Sequence, residues 1–184
     1  RQYLKKAREM GFKLKIHADE IVSLGGSELA GELKATSADH LLHASDAGIK
    51  AMAENGVVST LLPTTAFCLR EPFARAREMI DAGCAVALAT DFNPGSGFTF
   101  SVPLMLGLAV IYMHMTAEEA ITALTLNGAA AVGRADRIGS IEVGKQADLT
   151  ILQYPSYKFL PYHTGVNIVE KVIKKGELVH TASV

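Results

Sequence analysis

Across its first hundred residues the chain alternates between two hydrophobic patterns. Amphipathic stretches, with apolar residues at helical spacing, are each followed by a short apolar run. YLKKAREMGF leads to KLKIHA, GGSELAGELKA to SADHLL, SDAGIKAMAENG to VVSTLLP, and EPFARAREMIDAG to CAVALATD. Each stretch closes near Gly or a polar break, and the runs lack clean alternation, as parallel strands covered on both faces do. Helix-then-strand units of about 25 to 35 residues predict a parallel α/β sheet, belonging either to a (β/α)8 barrel or to a doubly wound sheet.

From Val102 the pattern turns helical, with VPLMLGLAVIYMHM and then TAEEAITALTLNGAAAVG. Thr116 with Glu119 three residues on is a capping-box signature for the second of these helices. Beyond Gly133 the segments IGSIEVGKQADLTILQY and IVEKVIKKGELVHTASV read as short strands with glycine turns. The chain therefore divides into residues 1–136, the α/β part, and residues 137–184, a separate β segment.

Composition narrows the function classes. With 184 residues at 49% hydrophobic, the chain can bury a core. It opens on Arg1 inside an amphipathic stretch, so the expectation is a chain whose beginning has been removed. Its 18 basic and 19 acidic residues leave a net charge of −1, and no Lys or Arg cluster lies beside aromatic residues, which argues against nucleic acid and acidic membrane surfaces as partners. VPLMLGLAVIYM is shorter than the roughly 18 apolar residues of a membrane span and reads as a buried helix. Cys68 and Cys84 form no CxxC pair or disulfide framework, so two buried free thiols in a reducing compartment, the cytoplasm, are expected.

Three of the apolar runs end on polar groups: KIHADE, SADH and ATD. In parallel α/β folds the C-terminal strand ends converge on one face, where sites are built. His17, His40 and Asp91 are thereby expected on one rim, and imidazole with carboxylate suits zinc or iron. Glu20, three residues past His17, could reach the same cavity as an acid or base. Each has a plainer reading taken singly: a hydrogen-bonded structural histidine, a helix-capping aspartate, a solvated glutamate. His43 has strand parity opposite to His40 and is expected to face the helix layer, whereas Lys15 shares parity with His17 and would point inward, with no role assigned. After Asp91, the turn Asn93-Pro94-Gly95-Ser96 is either structural or a polar cradle that presents backbone N–H groups, the Asn93 amide and the Ser96 hydroxyl to a ligand.

Together KIHADE, SADHLLHAS, LLPTTAFCLRE, ALATDFNPGS and the tail GSIEVGKQADLTIL closely resemble the imidazolonepropionase family of the amidohydrolase superfamily. The resemblance covers almost the whole chain and corresponds to the second part of that enzyme. It implies the C-terminal half, strands five to eight, of a (β/α)8 TIM-type barrel, plus C-terminal strands of a small β-sandwich domain. It also implies His17 and Asp91 as ligands of one zinc or iron ion, and Glu20, His40 and Asp91 as catalytic groups. Glu20, Asn93, Gly95 and Ser96 fall on substrate-contacting positions, the last being one where the family often has Thr. The implied reaction is hydrolysis of the cyclic amide of 4-imidazolone-5-propanoate to N-formimidoyl-L-glutamate, by a small-molecule enzyme that is a homodimer at full length. The family's His-x-His pair and its early-strand Arg, Tyr and His groups have no counterpart here, so the isolated chain is expected to be inactive, with two unpaired strand edges. Two alternatives stand beside this reading: a nucleobase-type deaminase of the same superfamily, and a non-catalytic module whose His and Asp are structural.

Overall fold

In the computed structural model, which describes residues 1–182, the alternation becomes a four-stranded parallel sheet. After helix α1 (Gln2–Glu9) come β1 (Lys15–Ala18), α2 (Gly26–Glu32), β2 (Ser37–His40), α3 (Asp46–Asn55), β3 (Val58–Leu61), α4 (Pro63–Leu69), α5 (Ala76–Asp81) and β4 (Val86–Leu88). The strands lie side by side in chain order, β1 and β4 forming the edges. His17 stands opposite Asp39 and Ala18 opposite His40 in the register of β1 with β2.

One face of the sheet packs on the helices. Ala18, Ala38, Leu61, Met52, Met79 and Leu106 are at most 1% exposed and belong to one core, each large side chain contributing about 1.5–3 kcal/mol relative to exposure. Helices α2 and α3 approach closely through glycine: a Cβ at Gly31 would meet Ala51 at 2.7 Å, and one at Gly48 would meet Ser27 Oγ at 2.0 Å. Ser45 caps α3 by accepting from the Gly48 N–H, and Gly56 ends it at φ 66°, the left-handed terminus glycine adopts without strain.

Several of the expectations need correction. The segment PTTAFCL, read only as part of a motif, is helix α4, with Pro63 in its first turn, where the missing N–H costs nothing. The helix predicted over 71–83 shrinks to α5, because residues 71–75 around Pro72 are irregular, the residue before a proline being disfavoured in helices. After α6 (Val102–Tyr112), the single helix predicted over 116–133 is two, α7 (Ala117–Leu124) and α8 (Leu126–Ala131), broken at Thr125 with ψ −83°. Cys68 is exposed on the outer side of α4, while Cys84 is buried as expected. The capping box of Thr116 and Glu119 is present at the start of α7.

A three-stranded antiparallel sheet follows, made of β5 (Leu149–Leu152), β6 (Val169–Lys174) and β7 (Glu177–Thr181), with the short helix α9 (Phe159–Tyr162) between β5 and β6. Lys175 and Gly176, at φ 53° and 84°, join β6 to β7, matching the two-residue turn that suits the twist of a hairpin. Residues 139–143, expected to include strand, are irregular, and positions 183 and 184 of the predicted β segment lie outside the described residues. No helix among the described residues is long and apolar enough to cross a membrane.

Candidate active site

The C-terminal ends of β1, β2 and β4 carry the candidate groups. His17 Nδ1 lies 2.9 Å from His40 Nε2, so one of these nitrogens donates and the other accepts. Glu20 Oε1 lies 3.4 Å from His40 Nδ1. One ligand-type atom from each of His17, Glu20 and His40 falls within 4.8 Å of the others. Asp91 stands outside that group of three, yet it lines with His17 the same cavity of about 280 Å³, together with Lys15, Asp39 and Thr60.

His40 reaches this cluster against the alternation of its strand. Asp39 pairs with His17 and shares its face, so a regular continuation would send His40 toward the helices with Ala18. Instead His40 and Leu41 take φ 76° and 64°, and the turned backbone swings the imidazole back to the rim, where it is 1% exposed. Burial lowers its pKa, against the opposing pull of the Glu20 and Asp91 carboxylates. Asp39, which the alternation does aim inward, is engaged by Ser37 Oγ at 2.8 Å and by Lys15 Nζ at 3.4 Å. Lys15 thus has a structural partner set, which also includes Ser37 Oγ and the Ala131 carbonyl. His43 is absent from the cluster; its backbone N–H donates to the Asp19 carbonyl.

Two supports of the site carried no signal of function in the sequence. Asp19, between His17 and Glu20, is 6% exposed and turns its carboxylate away from the rim. It accepts from the backbone N–H of Leu24, Gly26 and Ser27 at 2.9, 3.0 and 2.9 Å, and from Ser27 Oγ at 2.6 Å. Ser27 Oγ also lies 3.0 Å from Glu28, and Ser45 donates to that same carboxylate, so the chain of contacts continues to the start of α3. Burial disfavours the Asp19 charge, but the Ser27 hydroxyl and the three N–H groups together outweigh it and lower its pKa. The second support is Thr65, whose hydroxyl donates to Asp91 Oδ2 at 2.8 Å.

Of the two readings of the turn after Asp91, a structural element or a polar cradle, the hydrogen bonds within it fit the first. The Asn93 amide donates to the Asp91 carbonyl and to Ser96 Oγ, both at 2.8 Å. Its oxygen accepts from the N–H groups of Gly95 and Ser96 at 2.8 and 2.9 Å. An asparagine mimicking a backbone turn in this way consumes its own polar groups, which corrects the expectation that the amide and these N–H groups face a ligand. Ser96 Oγ lies 3.5 Å from Asp91 Oδ2.

The family model described as Amidohydrolase family matches residues 1–179. The chain belongs to the amidohydrolase family. An imidazolonepropionase of Clostridium tetani is 72% identical over 183 residues, covering 100% of this chain and 44% of that protein. One of Parabacteroides distasonis is 69% identical over 175 residues, covering 95% and 42%. The chain thus spans less than half the length of these curated relatives. Among solved structures, an adenosine deaminase from Xanthomonas campestris with bound zinc superimposes with a TM-score of 0.81 at 25% identity, over 95% of this chain and 46% of that one. An atrazine chlorohydrolase from Arthrobacter aurescens complexed with zinc does so at 0.77 and 21% identity, over 96% and 46%, a likeness of fold.

The donor set of this amidohydrolase fits a zinc-type ion. Nitrogen and carboxylate oxygen converge on one cavity, which is the mixture such ions take. His40 Nδ1 is buried without a well-formed hydrogen bond, and the contact through His17 Nδ1 leaves the other nitrogen of that ring uncommitted.

Proposed function

We propose that these residues supply half of the active site of an imidazolonepropionase, hydrolysing the cyclic amide of 4-imidazolone-5-propanoate to N-formimidoyl-L-glutamate. The single observation that carries this reading is the cluster of His17, Glu20 and His40, whose member His17 lines one cavity with Asp91, in a chain 72% identical to an imidazolonepropionase. Residues 1–136 would form strands five to eight of a (β/α)8 barrel and residues 137–184 part of a smaller β domain.

His17 and Asp91 would hold zinc or iron, which when bound activates water and polarises the amide carbonyl. Asp91, whose Oδ2 accepts from Thr65, would take the proton of the attacking water on its carboxylate. His40, whose pKa burial lowers, offers an N–H to the charge growing on the carbonyl oxygen. Glu20 carries a proton to the leaving ring nitrogen as the C–N bond breaks. The Asn93 to Ser96 turn borders the substrate: with the Asn93 amide spent inside the turn, contact falls to Ser96 Oγ and the exposed side of Gly95.

The test is an assay of the full-length protein carrying these residues. N-formimidoyl-L-glutamate from 4-imidazolone-5-propanoate supports the reading; ammonia released from a purine or pyrimidine, with no turnover of the imidazolone, favours the deaminase alternative that the zinc-bound adenosine deaminase likeness keeps in view. A catalytic zinc takes about three protein ligands, and His17 with Asp91 are two, so residues 1–184 alone are expected to give no turnover.

A further inference from the structure

The segment LLPTTAFCLRE places two threonines where they reach across to the end of β4. Thr64 and Thr65 follow Pro63 in the first turn of α4 and are 0% and 1% exposed. A helical threonine commonly bonds the carbonyl one turn back, as Thr122 and Thr125 do here, to Glu118 and Ile121 at 2.9 and 2.7 Å. Thr64 and Thr65 instead cross to two consecutive residues of another strand end. Thr64 donates to the Thr90 carbonyl, and Thr65 to Asp91 Oδ2.

What they grip is a residue that needs holding. Asp91 has φ 50°, a left-handed conformation that aspartate adopts more readily than most residues but still at some cost. Buried Gly97 closes the other side: a Cβ there would stand 3.7 Å from Thr65 Oγ1 and 3.8 Å from the Asp91 carbonyl oxygen. With Thr65 on Oδ2 and Ser96 Oγ 3.5 Å from the same atom, the two carboxylate oxygens are no longer equivalent.

We infer that Thr65 is a positioning residue, whose hydroxyl pins Asp91 Oδ2 and so fixes the orientation of the carboxylate at the cavity for its metal. The inference rests on the proposed role of Asp91. Partners of this kind behind a metal-ligating carboxylate typically account for about 10- to 100-fold in metal affinity or activity.

The experiment uses the full-length enzyme, with zinc affinity read by competition with a chromophoric chelator alongside kcat and KM. Thr65→Val, which keeps the shape and removes the hydroxyl, is expected to weaken zinc binding and lower kcat by about 10-fold or more, with KM within about twofold. Thr65→Ser restores both. In an Asp91→Asn background the same Thr65→Val change is expected to leave zinc affinity nearly unaltered, because the two act as one unit. Unchanged zinc affinity and kcat in Thr65→Val overturns the inference, as does a loss that persists undiminished beside Asp91→Asn. Should Thr65→Val fail to fold, judged by circular dichroism, Thr65→Ala and Thr65→Ser decide, equal losses in both pointing to packing and overturning the hydroxyl role. Absence of imidazolone turnover by the unaltered enzyme sinks the functional reading instead, while the zinc coupling of Thr65 to Asp91 still decides this one.

Discussion

Each of the two sheets is flanked by an aspartate that grips a turn, and the surroundings of the two differ. Asp19, after β1, is 6% exposed and collects three backbone N–H groups and a hydroxyl. Asp148, just before β5, collects the Lys175 N–H at 2.9 Å, the Gln146 amide at 2.7 Å and the Lys174 ammonium, with its side chain 24% exposed. Both carboxylates are held below their ordinary pKa: Asp19 by hydrogen bonds that outweigh its burial, and Asp148, down to about 2, mainly by Lys174 and then by the Lys175 N–H. The same chemistry therefore serves two ends. Near water it trims a hairpin whose lost partners the solvent can replace; in the core it joins the loop after β1 to the helix layer, where the Ser27 donors are shut off from solvent.

The strongest way to break this comparison is Asp19→Ala. It leaves the donors of Ser27 and Gly26 without a partner, each costing about 1–3 kcal/mol when buried, so urea unfolding is expected to show a loss of about 3 kcal/mol or more. In the full-length enzyme kcat should fall with it, because Glu20 is the next residue along the released loop. Gly48→Ala comes second. Its new Cβ would meet Ser27 Oγ at 2.0 Å, so the contacts through Ser27 and Glu28 must shift, at a cost of about 1–3 kcal/mol by the same measurement.

Acid sharpens the distinction next. Because the Asp19 pKa is lowered in the folded state, its contribution is complete above the unfolded value of 3.8 and is lost as pH falls through the lower folded value. Stability measured against pH should drop in that window in the unaltered protein, and less in Asp19→Asn. Smallest is Asp148→Asn, expected to move the unfolding midpoint less than any of these, while carbon-detected NMR of the unaltered protein is expected to show the Asp148 carboxyl titrating well below its ordinary range. A midpoint shift for Asp148→Asn as large as that for Asp19→Ala would show that burial is not what separates the two.

The parts of the site that were legible in the sequence are those carried by local order. His17, Glu20 and Asp91 are found by locating the apolar runs and reading off where they end, and strand ends converge whatever the side chains do. His40 was placed on the rim for that reason, but the cause of its aim is a pair of positive φ angles that no periodicity reports; alternation alone selects Asp39. Thr65 and Asp91 are 26 residues apart, and Asp19 meets its donors five to eight residues on, so both supports depend on how the chain returns. The inward closure of Asn93 is not decided by the sequence, because turn chemistry and ligand-binding chemistry use the same residue types. Helix α4 was missed because β-branched threonines behind an apolar strand look like more strand.

The left-handed residues at the strand ends, Asp19, His40, Leu41 and Asp91, have a consequence for anyone engineering this protein. Glycine occupies such angles without a steric conflict, so a screen for heat resistance would be drawn to these positions, each relieving about 1–3 kcal/mol of backbone strain. Asp91→Gly and His40→Gly would relax the chain and delete the groups placed on the rim in the same stroke. Durability and chemistry are thus set against each other at a few addressable residues, and robustness is better sought in the helices and in the antiparallel sheet, away from the rim.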